Sequence, residues 1–257
     1  MLQEQMDNSM YDWMTAFIKE CGIKKYPCEA CGLIYAGDDE KPVWVECKNV
    51  SDDPENNFLI APSEYLEVES KGKIVGCWHT HCDIPPNASD ADKQGCINTQ
   101  VPWFIGSVYK EGVKFRFEGL KEVRPDNGYK APLIGRPYSY GVFDCFSLAR
   151  DYFKQVLGID IPNIPRVEQI WKTEDDYMHR MAANVFDLVR LPDGTPPHIG
   201  DVFFIQTGTS GADHIAIYVG NDRILHQMRN KLSKEDTYGG SYWQEHTLSH
   251  WRHKSKC

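Results

Sequence analysis

The sequence predicts two domains of mixed helix and strand, in the α+β or α/β class. Three observations lead there. The chain has 257 residues, room for two cores at roughly 100–200 residues per domain. Residues 120–137 change character: Pro125, Asp126, Asn127, Gly128, Pro132, Gly135 and Pro137 crowd into one stretch, a composition that suits a linker. On both sides of that stretch, helical periodicity and strand-like runs alternate. The expected organisation is a first domain over 1–121, a linker over 122–132 and a second domain over 133–257.

Asn8 and Ser9 can cap a helix through Cys21, with Met10, Met14, Phe17, Ile18 and Cys21 on one face and Gly22 as its stop. Cys31–Ala36 and Val43–Cys47 read as strands around a turn at Gly37-Asp38-Asp39. Ser63–Ser70 reads as a short helix and Lys73–Trp78 as an apolar strand running into His79-Thr80-His81. Ser89 opens a helix toward Asn98, and Trp103–Val108 and Val113–Phe117 are two more strands. Beyond the linker, Asp144–Leu157 is a helix ended by Gly158; Leu148, Ala149, Tyr152, Phe153, Val156 and Leu157 form its apolar face. Residues 159–200 have Pro-rich ends around a helical middle. Asp201–Gln206, His214–Val219 and Arg223–Met228 are strands, and the tail after Thr237 shows no clear periodicity.

The net charge is −9 with no strongly basic run, which excludes nucleic acid as an expected partner. No apolar run is long enough for a membrane span, so no stable membrane anchor is expected. Met1–Trp13 is polar and acidic, unlike a secretory signal; synthesis in a cytoplasm is the expectation. Nine cysteines, an odd count, argue against a disulfide framework. Cys28 and Cys31 form a lone C-x-x-C, and core thiols are its ordinary reading.

One constellation lies in the first half. His79 and His81 are two apart at the end of a strand, so alternation puts both on one face. Imidazole is a good zinc ligand. Asp92, in the first turn of a new helix, can add a carboxylate as third ligand, leaving one position open as at catalytic zinc. Glu29 is then the candidate general base and acid, and Ser89 a candidate donor to an oxyanion. Ser89-x-x-Asp92 is equally a capping-box helix start. Pro27-x-Glu29-x-Cys31-Gly32, then His79-Thr80-His81, then Ser89-x-x-Asp92 resembles the JAMM metalloprotease motif of MPN-type domains over about residues 5–118. The resemblance implies a mixed sheet with flanking helices, zinc held by His79, His81 and Asp92, Glu29 as acid/base and Ser89 supporting the oxyanion. Cys82 stands where the family often has Pro, adding a thiol beside the metal.

A second constellation lies in the second half. Asp144 can cap a helix and so place Cys145 in its first turn, where free N–H groups favour a thiolate. A thiolate needs an imidazole to carry protons. His214 and His226 lie on adjacent strands; a three-residue loop at Gly220-Asn221-Asp222 pairs Val219 with Arg223 and Ala216 with His226, putting both rings on one face. A two-residue loop would separate them, so the reading requires an odd loop. Gly135-x-Pro137-Tyr138, Phe143-Asp144-Cys145, Gly200-Asp201-Val202, Asp213-His214-Ile215-Ala216 and Ile224-Leu225-His226 together resemble the NlpC-like cysteine peptidases over about residues 133–230. The resemblance implies a stripped-down papain-like fold, a helix packed on an antiparallel sheet. It implies Cys145 as nucleophile, His214 as base, His226 as third polar residue and Tyr138 lining the substrate site. Phe146-Ser147 replaces the Ser-Gly that often follows the nucleophile.

A JAMM half followed by an NlpC-like half is similar to a tail assembly family of lambda-like bacteriophages. That resemblance implies a virion protein of the tail tip, made in the host cytoplasm, with other phage tail-tip proteins as partners and bacterial peptidoglycan as substrate. The cysteine half would hydrolyse stem-peptide bonds as the genome enters the cell. The zinc half would hydrolyse a peptide or isopeptide bond, in tail maturation or in the wall. A tail-tip structural protein with vestigial sites and a bacterial JAMM-type deconjugating enzyme are the rival classes.

Overall fold

The computed structural model describes residues 8–37, 40–164, 177–208 and 211–257. The chain forms two compact units, 1–129 and 130–257. Asp38 and Asp39 of the expected turn, and residues 165–176 of the expected helical middle, lie outside the described residues.

The first unit is built from α1 (Asn8–Lys25), β1 (Cys31–Ala36), β2 (Pro42–Cys47), α2 (Pro62–Glu69), β3 (Ile74–Cys82), α3 (Asp90–Thr99), β4 (Trp103–Glu111) and β5 (Lys114–Val123). Its five-stranded sheet runs β2-β1-β3-β4-β5. β3 and β4 pair in parallel and the other neighbours antiparallel, so the sheet is mixed, as expected. Parallel neighbours need a crossover, and α3 supplies it. β3 is nearly buried from end to end because both faces of the sheet are covered. Met14, Ile18 and Cys21 of α1 pack with Ile34, Trp44, Trp78 and Phe104 on one face. Val68 of α2 and Cys96 of α3 pack with Leu33, Cys77 and Ile105 on the other. Alternation along β3 sends His79 and His81 to the face of Cys77, the side that carries α3.

The helix α1 does not stop at Gly22 but continues to Lys25. Gly22 serves contact instead: a Cβ there would sit 2.7 Å from Val108 Cγ2 and 3.0 Å from Thr80 Cγ2. The strand before the His-x-His also runs further than its apolar stretch suggests, to Cys82. β5 reaches Val123, two residues into the expected linker at 122–132.

The second unit contains α4 (Cys145–Tyr152), a π-helical turn (Phe153–Leu157), α5 (Tyr177–Asn184), β6 (Leu188–Arg190), β7 (Val202–Ile205), β8 (His214–Gly220), β9 (Arg223–His226), β10 (Lys234–Thr237), α6 (Tyr242–Glu245) and β11 (Thr247–His253). The sheet order is β10-β9-β8-β7-β11-β6, antiparallel throughout. Leu148, Ala149, Tyr152 and Phe153 pack on Val202, Phe204, Ile215, Ile217 and Leu225; this is the expected helix on an antiparallel sheet. Val156, expected on the apolar face, is exposed because the π turn widens the helix there. The opposite sheet face carries Phe203, Ile205, Ala216, Ile224 and Tyr238.

Two candidate active sites

In the first unit, the structure brings His79, His81 and Asp92 together, all buried. His79 Nε2 and His81 Nε2 are 3.2 Å apart. Asp92 Oδ1 is 3.3 Å from His79 Nε2, and Oδ2 is 3.4 Å from His81 Nε2. A tetrahedral ion with bonds of about 2.0–2.1 Å has ligand–ligand edges of about 3.3 Å. The His79–His81 edge is of that size, each histidine nitrogen has one Asp92 oxygen at a similar distance, and two imidazole nitrogens are not the oxygen donors that calcium takes. His81 Nδ1 donates to the Pro85 carbonyl at 3.1 Å, which leaves its Nε2 lone pair facing Asp92 and His79. Among the described residues none accepts from His79 Nδ1; packing holds that ring instead, with Phe58 stacked at 4.6 Å and the Trp103 edge at 5.9 Å. The donor set and its spacing fit a small divalent cation.

Glu29 enters from the start of β1. The Thr80 amide donates to the Ala30 carbonyl at 2.9 Å, and the Ala30 amide donates to Thr80 Oγ1 at 3.1 Å. Glu29 Oε1 lies 4.0 Å from His81 Nε2. Burial pushes its carboxyl up to about 7, against the pull of His79 and His81 and with the help of Asp92. Burial also acts on Asp92, but the two histidines and Ser89 outweigh it and hold that carboxyl well below the usual range.

Ser89 is the N-cap of α3. Its hydroxyl accepts from the Asp92 amide at 3.1 Å and donates to Asp92 Oδ2 at 2.7 Å, while its own amide donates to the same oxygen at 2.8 Å. The capping box thus orients the carboxylate between the two histidines. Cys82 is not an activated thiol, because burial pushes it up to about 12. Cys31 pairs directly with Cys47 across β1 and β2, and both are buried core thiols.

In the second unit, Cys145 is the first residue of α4, half-buried and free of disulfide. Asp144 caps the helix by accepting from the Ser147 amide at 2.8 Å, and Ser147 Oγ accepts from the Asp144 amide at 2.8 Å. Ser147 is therefore the returning half of a capping box, which accounts for the departure after the cysteine. Tyr138 lies in the electrostatic neighbourhood of Asp144 and Cys145; burial, then those two groups, raise its phenol and keep it a neutral hydrogen-bonding group.

His214 and His226 are both buried and directly bonded, Nε2 to Nδ1 at 3.1 Å. Ala216 pairs with His226 as expected, but Gly220, not Val219, pairs with Arg223. The loop is the two-residue Asn221-Asp222, both with positive φ, a type I′ conformation. The extra residue is a β-bulge at Val219. The odd count that puts the rings on one face comes from the bulge rather than the loop. Burial, then the neighbouring His226, pushes His214 down to about 3, so the resting ring is neutral.

Several groups went unread in the sequence. Asn49 Nδ2 donates to the Glu29 carbonyl at 3.0 Å, and the Glu29 amide donates to the Pro54 carbonyl at 2.7 Å. Trp243 of α6 lies 4.3 Å from the His226 ring and 5.7 Å from His214. Asp236 Oδ2 is 3.0 Å from His226 Nε2. None carries a local signal, since each acts from a loop, a four-residue helix or a polar edge strand.

Comparison with known proteins accords with both halves. The family model for prokaryotic homologs of the JAB domain matches residues 13–118, and the NlpC/P60 family model matches residues 135–252. The tail tip assembly protein K of Escherichia phage N15 is 32% identical over 232 residues, 90% of this chain and 90% of the relative. The chain belongs to the tail tip assembly protein K family. The protein K of Escherichia phage lambda is 30% identical over 200 residues, 76% of this chain and 90% of the relative. The K-family chain also resembles the murein DD-endopeptidase MepH of Escherichia coli (strain K12), 29% identical over 120 residues, 44% of this chain and 39% of MepH.

Proposed function

We propose that this K-family chain is a tail-tip peptidase of the phage virion with two sites. Its domains are a JAMM/MPN-like zinc metalloprotease (1–121), a linker (122–132) and an NlpC-like cysteine peptidase (133–257). The cysteine site hydrolyses stem-peptide bonds of bacterial peptidoglycan as the genome enters the cell. The observation that carries this is the buried His214–His226 pair in a unit whose helix begins on Cys145. With His214 Nε2 bonded to His226, Nδ1 is the ring nitrogen that remains for the thiol. His214 takes the Cys145 proton as sulfur attacks the scissile carbonyl, then gives it to the leaving amine; water releases the acyl group by the reverse exchange. Tyr138 lines the pocket. The match to the murein endopeptidase supports peptidoglycan as substrate. Purified sacculi are expected to be solubilised by the protein and left intact by Cys145→Ala; equal solubilisation by that variant would refute the reading.

The zinc site is the second activity, acting on a peptide or isopeptide bond in the tail or the wall. His79, His81 and Asp92 would hold the ion. Bound zinc would supply a Lewis acid and a water of pKa about 7. Glu29 would take up and release a proton at its carboxylate, and the Ser89 hydroxyl, which orients Asp92, would turn from that carboxylate to steady an oxyanion. About one zinc per chain is expected by elemental analysis, lost in His81→Ala. The partners are other tail-tip proteins, and the chain is made in the host cytoplasm before assembly.

A further inference from the structure

We propose that Asp236 is a positioning residue of the thiol site: its carboxylate sets the tautomer of His226 and, through it, that of His214. This rests on the assignment of Cys145 and His214 above.

The argument is one of proton counting along a chain of three groups. An ionised carboxylate only accepts. Asp236 Oδ2, 3.0 Å from His226 Nε2, therefore requires the proton on that nitrogen. A neutral imidazole carries one proton, so His226 Nδ1 is a lone pair. That lone pair lies 3.1 Å from His214 Nε2, which must then carry the His214 proton. Nδ1 of His214 is left as the base. Reversing the Asp236 end reverses every link and leaves His214 presenting N–H to a thiol.

The surroundings leave Asp236 in charge of this order. The His226 side chain is fully buried. The titratable and charged groups facing it are His214 from β8 and Asp236 and Lys234 from β10, with Trp243 of α6 covering the ring. Lys234 Nζ donates to the same Asp236 oxygen at 2.8 Å and is itself exposed, so it keeps the carboxylate ionised without reaching either ring. Glu235, the intervening residue, pairs with Arg223 at 2.8 Å.

The test measures alkylation of Cys145 by iodoacetamide across pH in the full chain, read on the Cys145 peptide by mass spectrometry. At neutral pH the native protein is expected to alkylate faster than His214→Ala by on the order of 10²-fold, because the neutral ring takes the thiol proton. Asp236→Ala, which removes the acceptor, is expected to slow alkylation at neutral pH roughly ten-fold. Glu235→Gln, a control on the same strand, is expected to match the native rate. Equal rates in native protein and His214→Ala would overturn the thiol-site reading itself. A native rate above that of His214→Ala that Asp236→Ala leaves unchanged, or that Glu235→Gln lowers equally, would overturn the role of Asp236 alone. Nitrogen chemical shifts of the imidazoles in the native protein give a check that needs no variant. Protons on Nε2 of both rings support the proposal; the opposite tautomers refute it.

Discussion

Asp201 shows how one buried carboxylate organises the second unit. It accepts from Arg252 Nε at 2.7 Å and Nη2 at 2.8 Å, from His250 Nε2 at 2.7 Å and from the His198 amide at 2.8 Å. Burial alone would raise its pKa, but Arg252 and His250 outweigh burial and hold it down at about 2. Asp201→Ala strands a guanidinium and an imidazole, and is expected to destabilise the unit by about 3–5 kcal/mol in urea unfolding. The pH dependence follows from two depressed groups. Asp201 contributes stability that is present above its unfolded value, about 3.9, and lost as pH falls through about 2. His214, pushed down to about 3, is neutral in the fold, so the unfolded chain binds its proton first below about 6.5. Both slopes have the same sign. Urea midpoints of this unit are expected to fall steadily from pH about 6.5 to about 3; a flat profile would contradict the buried neutral ring.

At the scale of elements, the sites depend on two short devices. The α3 capping box holds Asp92 between the histidines. Ser89→Ala is expected to cost about 1 kcal/mol in stability and to weaken zinc binding about 10–100-fold, because it frees the carboxylate that Ser89 orients. Calorimetric melting and a competitive zinc titration measure the two effects separately. The Val219 bulge sets the register of β8 against β9. Deleting Val219 shifts the β8 stretch before it by one residue, and every side chain in that stretch changes face. His214 would then leave His226, and sacculus solubilisation is expected to vanish. Val219→Ala keeps the residue count and is expected to retain it.

For the whole molecule, each unit has its own buried clusters: α1, α2 and α3 against one sheet, α4 against the other. Each unit is therefore expected to unfold cooperatively when produced alone. Zinc bound only by folded protein stabilises it by mass action. Chelation is expected to lower the melting temperature of residues 1–129 and leave that of residues 130–257 unchanged. An equal response in both would place the metal elsewhere.

Much of this protein was legible along the chain because its chemistry is carried by local patterns. His79-Thr80-His81 shares a face by strand alternation, Ser89-x-x-Asp92 is a helix start, and Asp144 before Cys145 is a cap; each needs only neighbours in sequence. The long apolar strands were legible for the same reason. The edges were not: β6, β10 and β11 are short, polar or aromatic without a period and form by pairing with an existing sheet, and α6 is a single turn capped by Ser241. Gly22 read as a stop because its packing partners, Val108 and Thr80, are far away in sequence. The sequence by itself singled out His79, His81 and Asp92, the Cys145 thiol and the two imidazoles as candidates. Only the tertiary structure decided that a bulge, rather than a longer loop, aligns His214 with His226, and that Asp236 and Trp243 close around them. Register and enclosure are set by pairing and burial between distant segments, and those energies have no local signature.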